Sequence, residues 1–431
     1  MAALCLSLAG ASSAQTPRLS GGDFHPFDPA KAEIGRLLFY DPILSGNRNI
    51  SCGTCHHHDL GTGDGLPLGV GEGGRGLGPK RNAGTGAERI RKRVPRNAPP
   101  LWNLGAREIR ALFHDGRLSV ADTYENGFNS PAEERLPGGL PNILAAQAVL
   151  PLVAEFEMAG HSEENEVGGA RNDRVDFAWP ILAKRVRTIP AYGEMFVAAF
   201  EGIDTPSEVT IVEVATVLSD FINAEWRSFD SAYDRHLAGE DSLDAAQTRG
   251  MDLFFGAAGC ADCHNGALLT DHQFHALALP HFGPGRTRPF DPIVRDVGRM
   301  AETDRIEDAY RFRTPALRNV TLTAPYGHNG AYATLRGIIR HHLDPQGALA
   351  AWGPGEVTLP DAPWIEAIDF VSLQDKRERA RLAAKIDITP RTLSDAQVSD
   401  LVAFLGALEG ADSTQGRLGR PDAVPSGLPV D

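Results

Sequence analysis

The pentapeptide Cys-x-x-Cys-His occurs twice in this chain, first as Cys52, Cys55 and His56 and again as Cys260, Cys263 and His264. Two thiols at this spacing form thioether bonds to the vinyl groups of a haem, and the adjacent imidazole reaches the iron. A lone Cys-x-x-Cys also suits a thioredoxin-like or zinc site, but the one further cysteine, Cys5, cannot complete a zinc site. The sequence therefore predicts two covalently attached c-type haems.

Each motif lies within a larger repeated pattern. Gly35–Tyr40 before the first motif and Gly250–Phe255 before the second both read Gly, then Leu-Phe-aromatic at identical offsets. Two further pairs of segments follow in the same order and at similar spacing: Ala98–Asn103 with His114–Gly116, and Thr314–Asn319 with His328–Gly330. A repeat of this length indicates two copies of one structural unit.

These observations predict a mainly α fold of two cytochrome c-like haem domains, related by internal duplication and interrupted by long loops. We predict helices at Phe177–Val186, at Ala191–Phe200, at Pro206–Ile222 with Thr205 as N-cap, and before Leu408 behind a Ser394–Gln397 capping box. The expected domains are 22–240 and 241–410, followed by a flexible tail at 411–431.

Charge and the N-terminus limit location and partners. The formal net charge of -14 argues against nucleic acid and against an anionic membrane surface as partners. Residues 1–14 carry no charge and are mostly small or apolar, as in the end of a signal peptide. Beyond them, no apolar run approaches the roughly 20 residues of a membrane helix. We therefore expect an exported, periplasmic protein that does not bind membranes.

Together the motifs resemble the di-haem cytochrome c peroxidase and MauG family over roughly residues 28–410. The resemblance rests on both haem motifs and on five flanking segments: Gly35–Tyr40, Arg96–Pro99, Phe113–Arg117, Arg313–Val320 and Leu322–Tyr326. It implies an open, peroxide-binding haem in the N-terminal domain. It also implies an electron-transfer haem in the C-terminal domain, with calcium between the two.

The distal pattern of the open haem in this family is similar to Gln147, Pro151 and Glu157 here. The resemblance implies that Glu157 moves a proton between the two oxygens of bound peroxide. It gives Gln147 a hydrogen bond to peroxide or to water, and Pro151 a steric role that keeps the site open. The alternative for Glu157 is an ion-paired acid on a helix surface.

Many family peroxidases carry a displaceable histidine after the first haem motif. This sequence has no histidine between His58 and His114, and His57 and His58 lie too near the proximal ligand to reach the distal side. We therefore expect a first haem that is always accessible, as in MauG-like members.

The second haem needs a distal ligand, which the resemblance places eight residues after the Thr of a Thr-Leu helix start. Thr334 puts it at His342, with His341 and Met300 as alternatives. An imidazole stabilises ferric iron and lowers the reduction potential relative to a thioether. A low potential favours a MauG-like enzyme over a simple peroxidase.

Two further assignments follow from the resemblance. His114 occupies the position at which the family usually has a tryptophan between the haems, so His114 and the nearby Trp102 are the candidates for an electron relay. Asn97, Thr323 and Pro325 match the family's calcium ligands, and oxygen donors of this kind suit Ca²⁺.

We therefore expect a di-haem oxidoreductase that uses hydrogen peroxide and a MauG-like high-valent iron mechanism to oxidise a protein partner. One alternative is a cytochrome c peroxidase that reduces hydrogen peroxide with electrons from a small cytochrome or cupredoxin. The other is a non-catalytic electron-transfer cytochrome.

Overall fold

The computed structural model describes residues 16–286, 294–411 and 416–431. The expected signal-peptide remnant at 1–14 lies outside the described residues. Helices dominate the first half of the chain. They are α1 (Pro29–Phe39), α2 (Cys52–Cys55), α3 (Ile143–Ala148), α4 (Glu166–Asp173), α5 (Val175–Arg187), α6 (Pro190–Ala199), α7 (Ile211–Glu225) and α8 (Ala232–Leu237).

The second half is built in the same way. Its helices are α9 (Ala245–Phe255), α10 (Met300–Thr303), α11 (Leu335–Leu343), α12 (Pro345–Ala351), α13 (Val371–Gln374), α14 (Lys376–Ala383) and α15 (Asp395–Gly406). Strands are short. Antiparallel β1 (Ala111–Leu112), β2 (Leu118–Val120) and β3 (Phe128–Asn129) form one sheet, and β4 (Phe274–His275) pairs with β5 (Phe312–Arg313). The mainly α fold predicted from the sequence is confirmed.

The helix before each haem motif packs closely on a later helix. In the first half α1 crosses α7, and a Cβ at Gly35 would overlap the carbonyl oxygen of Val217. In the second half α9 crosses α15, and a Cβ at Gly250 would overlap the carbonyl oxygen of Asp400. Glycine is needed at both crossings because the two backbones approach too closely for a side chain.

The aromatic residues beside these crossings repeat as well. Phe39 and Phe221 have ring centroids 5.2 Å apart at an interplanar angle of 57°. Phe254 and Phe404 have the same centroid separation, 5.2 Å, and the same angle, 57°. Each pair lies in the core of its own half, so the sequence repeat corresponds to a repeated packing unit.

Two local expectations differ from the structure. The helix predicted at Pro206–Ile222 is split: a 3-10 turn at Pro206–Glu208 is capped by Thr205, and α7 begins at Ile211 behind a second cap at Thr210. Each of the two successive capping boxes starts an element of its own, so a short turn and a separate helix form in place of one long helix. The other three helices lie within one or two residues of their predicted starts, and Ser394 caps α15 as expected.

The tail also differs from the expectation of a flexible segment. Residues 416–431 return to the first half of the chain, where Ser426 Oγ donates to Asp41 at 2.7 Å and the Leu418 amide donates to Glu225 at 2.6 Å. Leu428 and Val430 pack against the core of that half. These partners are distant in sequence, so the local composition of the tail does not reveal them. The domain limits at 240 and 241 stay predictions.

Among the described residues we find no helix with both the length and the apolar character that crossing a bilayer requires.

Candidate haem sites

The first haem motif lies on a short, capped helix. The Ser51 hydroxyl accepts a hydrogen bond from the Thr54 amide and so begins α2, which carries Cys52 and Cys55. His56 follows directly, and its Nδ1–H donates to the Thr62 carbonyl oxygen at 3.0 Å. A hydrogen bond at Nδ1 fixes the tautomer and leaves Nε2 as the atom that can bind iron.

The two thiols fit covalent haem attachment. Cys52 and Cys55 form no disulfide, and burial raises the pKa of both thiols to about 12. Both cysteines and His56 line a cavity of about 580 Å³, within the range of about 300–1,000 Å³ that is typical of cofactor sites.

The wall of this cavity also contains the three residues expected on the distal side of the haem. Gln147 comes from α3, Pro151 begins the 3-10 turn Pro151–Val153, and Glu157 lies in the turn Glu155–Ala159. Burial raises the pKa of Glu157, and the positive charges of Arg117 and Arg286 oppose this rise. A carboxyl group with a raised pKa inside a cavity is suited to taking up and releasing a proton.

The two relay candidates occupy different places. His114 lines the cavity, and its Nε2–H donates to the Asn97 carbonyl oxygen at 3.2 Å. Burial, with a contribution from the positive Arg96, lowers the pKa of His114 to about 4, so the imidazole is neutral. Trp102 belongs to the hydrophobic core of the first half and is not among the residues described on the cavity wall.

The second haem motif has a matching arrangement of ring nitrogens. His264 Nδ1–H donates to the Leu269 carbonyl oxygen at 3.1 Å, and Cys260 and Cys263 form no disulfide. Burial, together with the proximity of His342, lowers the pKa of His264 to about 4. The fold therefore brings the expected distal ligand close to the proximal one.

His342 and its alternatives differ in their contacts. His342 Nδ1–H donates to the Ile338 carbonyl oxygen at 2.8 Å, which leaves Nε2 for iron. His341 uses both nitrogens: Nε2–H donates to the Leu277 carbonyl oxygen at 2.7 Å, and Nδ1 accepts from the Tyr332 hydroxyl at 2.7 Å. Met300 packs in a separate apolar cluster with Ala278 and Tyr310.

An ion-pair network connects the two halves beside the first cavity. The buried Arg96 guanidinium donates two hydrogen bonds of 2.7 Å to Asp296 and lies 2.7 Å from the Asp115 carboxylate. Burial is the largest single influence and would raise the pKa of both carboxyl groups. The Arg96 charge and its hydrogen bonds, together with the other positive groups nearby, outweigh burial and hold both pKa values below their ordinary range.

Asn97 and Pro325, two of the three expected calcium ligands, lie in one region of the interface between the halves. The side-chain Nδ2–H of Asn97 donates to the Leu66 carbonyl oxygen at 2.7 Å. Its backbone N–H donates to the His328 carbonyl oxygen at 2.9 Å. The neighbouring Pro67 backbone packs against Gly330, beside Pro325. Thr323 is two residues away from Pro325, and its hydroxyl donates to the Val320 carbonyl oxygen at 3.0 Å.

Sequence reasoning missed a buried polar group behind the first haem motif. The sequence indicates only that His58 is too near the proximal ligand to reach the distal side of the first haem. In the structure it lies between the Tyr40 hydroxyl and the Glu225 carboxylate. The repeat of three histidines after Cys55 is the only sequence signal at this point, and it does not indicate these partners.

Comparison with known proteins agrees with this arrangement. Residues 29–242 match the family model described as di-haem cytochrome c peroxidase. The methylamine utilization protein MauG of Methylorubrum extorquens is 29% identical over 389 residues, which cover 89% of this chain and 80% of that protein. The cytochrome c551 peroxidase of Pseudomonas aeruginosa is 29% identical over 370 residues, or 85% of this chain and 86% of that protein.

Solved structures are similar over nearly the whole chain. A MauG-like protein associated with microbial copper homeostasis has a TM-score of 0.59 at 25% identity, covering 95% of this chain and 97% of that one. The diheme peroxidase BthA from Burkholderia thailandensis has the same fold, with a TM-score of 0.59 at 23% identity over 96% of this chain and 93% of that one. The expectations of two haems and of an enzyme of the di-haem peroxidase type are confirmed, and the chain belongs to the di-haem cytochrome c peroxidase and MauG family.

Proposed function

We propose that this enzyme uses hydrogen peroxide to oxidise a protein partner in the periplasm, by a MauG-like mechanism. The observation that carries the proposal is the composition of the first cavity. Gln147, Pro151 and Glu157 line it together with His56, and the other histidine on its described wall, His114, is bound to the Asn97 carbonyl. The motifs for covalent haem and the uncharged residues 1–14 support the periplasmic location.

The residues around the cavity define the proton chemistry. When bound, the haem supplies the iron at which the oxygen–oxygen bond of peroxide is cleaved. Glu157 takes a proton from one oxygen of the peroxide and delivers it to the other oxygen, which leaves as water. The Gln147 amide orients the peroxide by a hydrogen bond. Arg117 and Arg286 place positive charge near the Glu157 carboxylate and favour its ionised form.

The contacts of the histidines at the second haem site support a MauG-like mechanism. His264 and His342 both have Nδ1 hydrogen-bonded to a backbone carbonyl, which leaves Nε2 of each for iron, and His342 is close enough to lower the pKa of His264. Two imidazole ligands lower the reduction potential relative to imidazole and thioether. A low potential suits an oxidising equivalent that is retained until a partner protein arrives, and it disfavours electron uptake from a high-potential cytochrome.

We also propose that His114 and Asn97 bridge the two sites. His114 donates to the Asn97 carbonyl, and the Asn97 amide donates to the His328 carbonyl, so the hydrogen bonds connect repeat-related histidines of the two halves. A neutral imidazole is harder to oxidise than an indole. The imidazole is therefore not itself oxidised when an electron passes between the haems. Electron transfer between the haems is slower than through a tryptophan that can be oxidised.

Calcium is a further proposal. Asn97, Thr323 and Pro325 would supply one side-chain and two backbone oxygens at the interface between the halves. Oxygen ligands with remaining waters suit Ca²⁺. An ion there would fix the loop that carries Asn97, and with it the carbonyl to which His114 is bound.

The decisive experiment mixes the fully ferric holoenzyme with hydrogen peroxide and follows its optical spectrum without a reductant. We expect a rapid spectral change, and electron paramagnetic resonance of the resting protein should show one high-spin and one low-spin haem. Two low-spin haems in the resting protein would contradict an open first site.

The second candidate is a cytochrome c peroxidase, which the similarity to the Pseudomonas aeruginosa enzyme favours. Steady-state peroxide turnover with a reduced small cytochrome c or cupredoxin separates the two. Fast turnover with such a donor would support the peroxidase. Slow turnover together with a rapid reaction of the ferric protein would support oxidation of a protein partner.

A further inference from the structure

Behind the first haem motif, three side chains form a continuous chain of hydrogen bonds: Tyr40 and Glu225 are buried, and His58 between them is partly buried. The Tyr40 hydroxyl contacts His58 Nδ1, and His58 Nε2 lies 2.6 Å from Glu225 Oε1. The Glu225 carboxylate also accepts from the backbone amides of residues 417–419, at 2.6–3.1 Å. Because an ionised carboxylate only accepts, His58 donates through Nε2, and its Nδ1 accepts the proton of the phenol.

This phenol lies against the haem attachment turn. Gly53 separates the two cysteines of the first motif, and a Cβ there would overlap the Tyr40 ring. The Tyr40 side chain is 0% exposed. Its ring centroid lies 5.3 Å from that of Phe39, and the His58 ring lies 5.2 Å from that of Trp226. Tyr40 is therefore close to the first haem but shielded from solutes.

The proton chemistry proposed above does not use this group. Tyr40, His58 and Glu225 are not among the residues described on the wall of the first cavity, where Glu157 and Gln147 lie. Burial raises the pKa of Tyr40 above its ordinary range, so the resting phenol keeps its proton. Oxidation of a phenol at moderate potential requires that this proton leaves with the electron, and His58 is the base to which the hydroxyl is bonded.

We propose that Tyr40 is a one-electron donor to the first haem site, used when hydrogen peroxide is reduced there and no protein partner is bound. The inference rests on the reaction with peroxide proposed above. Cleavage of the oxygen–oxygen bond of one hydrogen peroxide takes up two electrons, and the departing oxygen leaves as water with both hydrogens of the peroxide. Tyr40 supplies one electron and the haem supplies the other.

The proton of Tyr40 moves along the existing hydrogen bond to His58 Nδ1. The products are a neutral phenoxyl radical and an imidazolium whose charge is compensated by Glu225. When a protein partner later delivers two electrons, one restores the haem, and the second oxygen leaves as water with two protons from solvent. The other electron restores the phenol of Tyr40, whose proton returns from His58. The group thus protects the haem site from further oxidation during the interval between peroxide and partner.

Tyr192 provides the matched control. It is as buried as Tyr40, but its hydroxyl donates to the Asp41 carboxylate at 2.8 Å and has no imidazole partner. Tyr192→Phe therefore removes a buried phenol without touching the Tyr40–His58–Glu225 chain.

The test is freeze-quench electron paramagnetic resonance of the ferric holoenzyme after addition of hydrogen peroxide, with the optical spectrum recorded on the same samples. We expect a tyrosyl radical signal that narrows when all tyrosines are ring-deuterated. Tyr40→Phe should abolish the signal, and Tyr192→Phe should retain it. His58→Gln, which preserves a hydrogen-bond acceptor but not a base, should also abolish the signal while the optical reaction persists.

Incorporation of 3,5-difluorotyrosine at position 40 gives a second test that does not depend on the stability of Tyr40→Phe. We expect added fluorine hyperfine splitting in the radical signal. An optical reaction without a tyrosyl radical, an unchanged radical in Tyr40→Phe, or no fluorine splitting would overturn the inference alone. No optical reaction with peroxide would overturn the proposed function together with it.

Discussion

His341 and His342 are consecutive residues of α11, yet their imidazoles have different surroundings. Both nitrogens of His341 are hydrogen-bonded within the protein, to Leu277 and Tyr332. His342 is bonded only through Nδ1, to Ile338, and it lies close enough to His264 to lower the pKa of that imidazole. His341 therefore holds α11 against the residues around it, and Nε2 of His342 is available to bind a metal.

This difference predicts the ligand of the second haem. We expect His342→Ala to convert that haem from low-spin to high-spin in the electron paramagnetic resonance spectrum of the ferric protein. His341→Gln should leave it low-spin, because the ligand is retained. A low-spin second haem in His342→Ala would show that another residue binds the iron.

Glu157 should govern the reaction with peroxide. Loss of a general acid–base group costs about 10²–10⁴-fold in rate, and we expect a decrease of this size for Glu157→Gln in stopped-flow measurements. Glu155→Gln is the matched control, since Glu155 pairs with Arg171 at 3.3 Å. Equal effects of the two substitutions would exclude a specific role for Glu157.

The same carboxyl group predicts a pH dependence. Burial raises the pKa of Glu157 above its ordinary value of 4.5. Only the ionised form can take the proton of peroxide, so the rate should fall as the pH is lowered through this raised pKa. The decrease should be centred above pH 4.5, and it should be absent in Glu157→Gln. The same decrease in rate at low pH in Glu157→Gln would show that another group causes the pH dependence.

Arg96 should contribute strongly to stability. It is buried and paired with Asp115 in one half and Asp296 in the other. Removing one partner of a buried ion pair leaves uncompensated charge and costs about 3–5 kcal/mol. We expect a decrease of this size in the free energy of unfolding of Arg96→Ala, measured with urea. Arg249→Ala, which breaks an exposed pair with Asp400, should change it little.

The close crossing of α9 and α15 predicts a steric effect. A Cβ at Gly250 would overlap the Asp400 carbonyl oxygen, so Gly250→Ala should force the helices apart and lower the free energy of unfolding by about 1–3 kcal/mol. A Cβ at Gly406, at the end of α15, would have no neighbour within 4 Å. Gly406→Ala should therefore leave thermal stability unchanged or slightly higher, and a similar loss in both variants would contradict this packing.

Much of the fold could be predicted because the relevant signals are local. The two haem motifs, the repeated Gly-Leu-Phe segments and the Ser394 capping box each lie within a few residues of the element that they specify. The start of α7 differs from the prediction because Thr205 and Thr210 are both good N-cap residues, and the spacing of apolar residues does not distinguish between them.

The candidate sites were only partly predictable for a different reason. The family resemblance predicts His342 as the ligand and leaves His341 as an alternative, and the three-dimensional contacts of their nitrogens distinguish the two. The group formed by Tyr40, His58 and Glu225 joins residues that are far apart in sequence. No pattern within one segment contains that information.

The return of residues 416–431 to Glu225, Asp41 and Thr54 has a consequence for biogenesis. A polypeptide emerges from the ribosome N-terminus first. The contacts of the tail with Glu225, Asp41 and Thr54 therefore form only after the second half of the chain has been synthesised, and packing around the first haem motif is completed last.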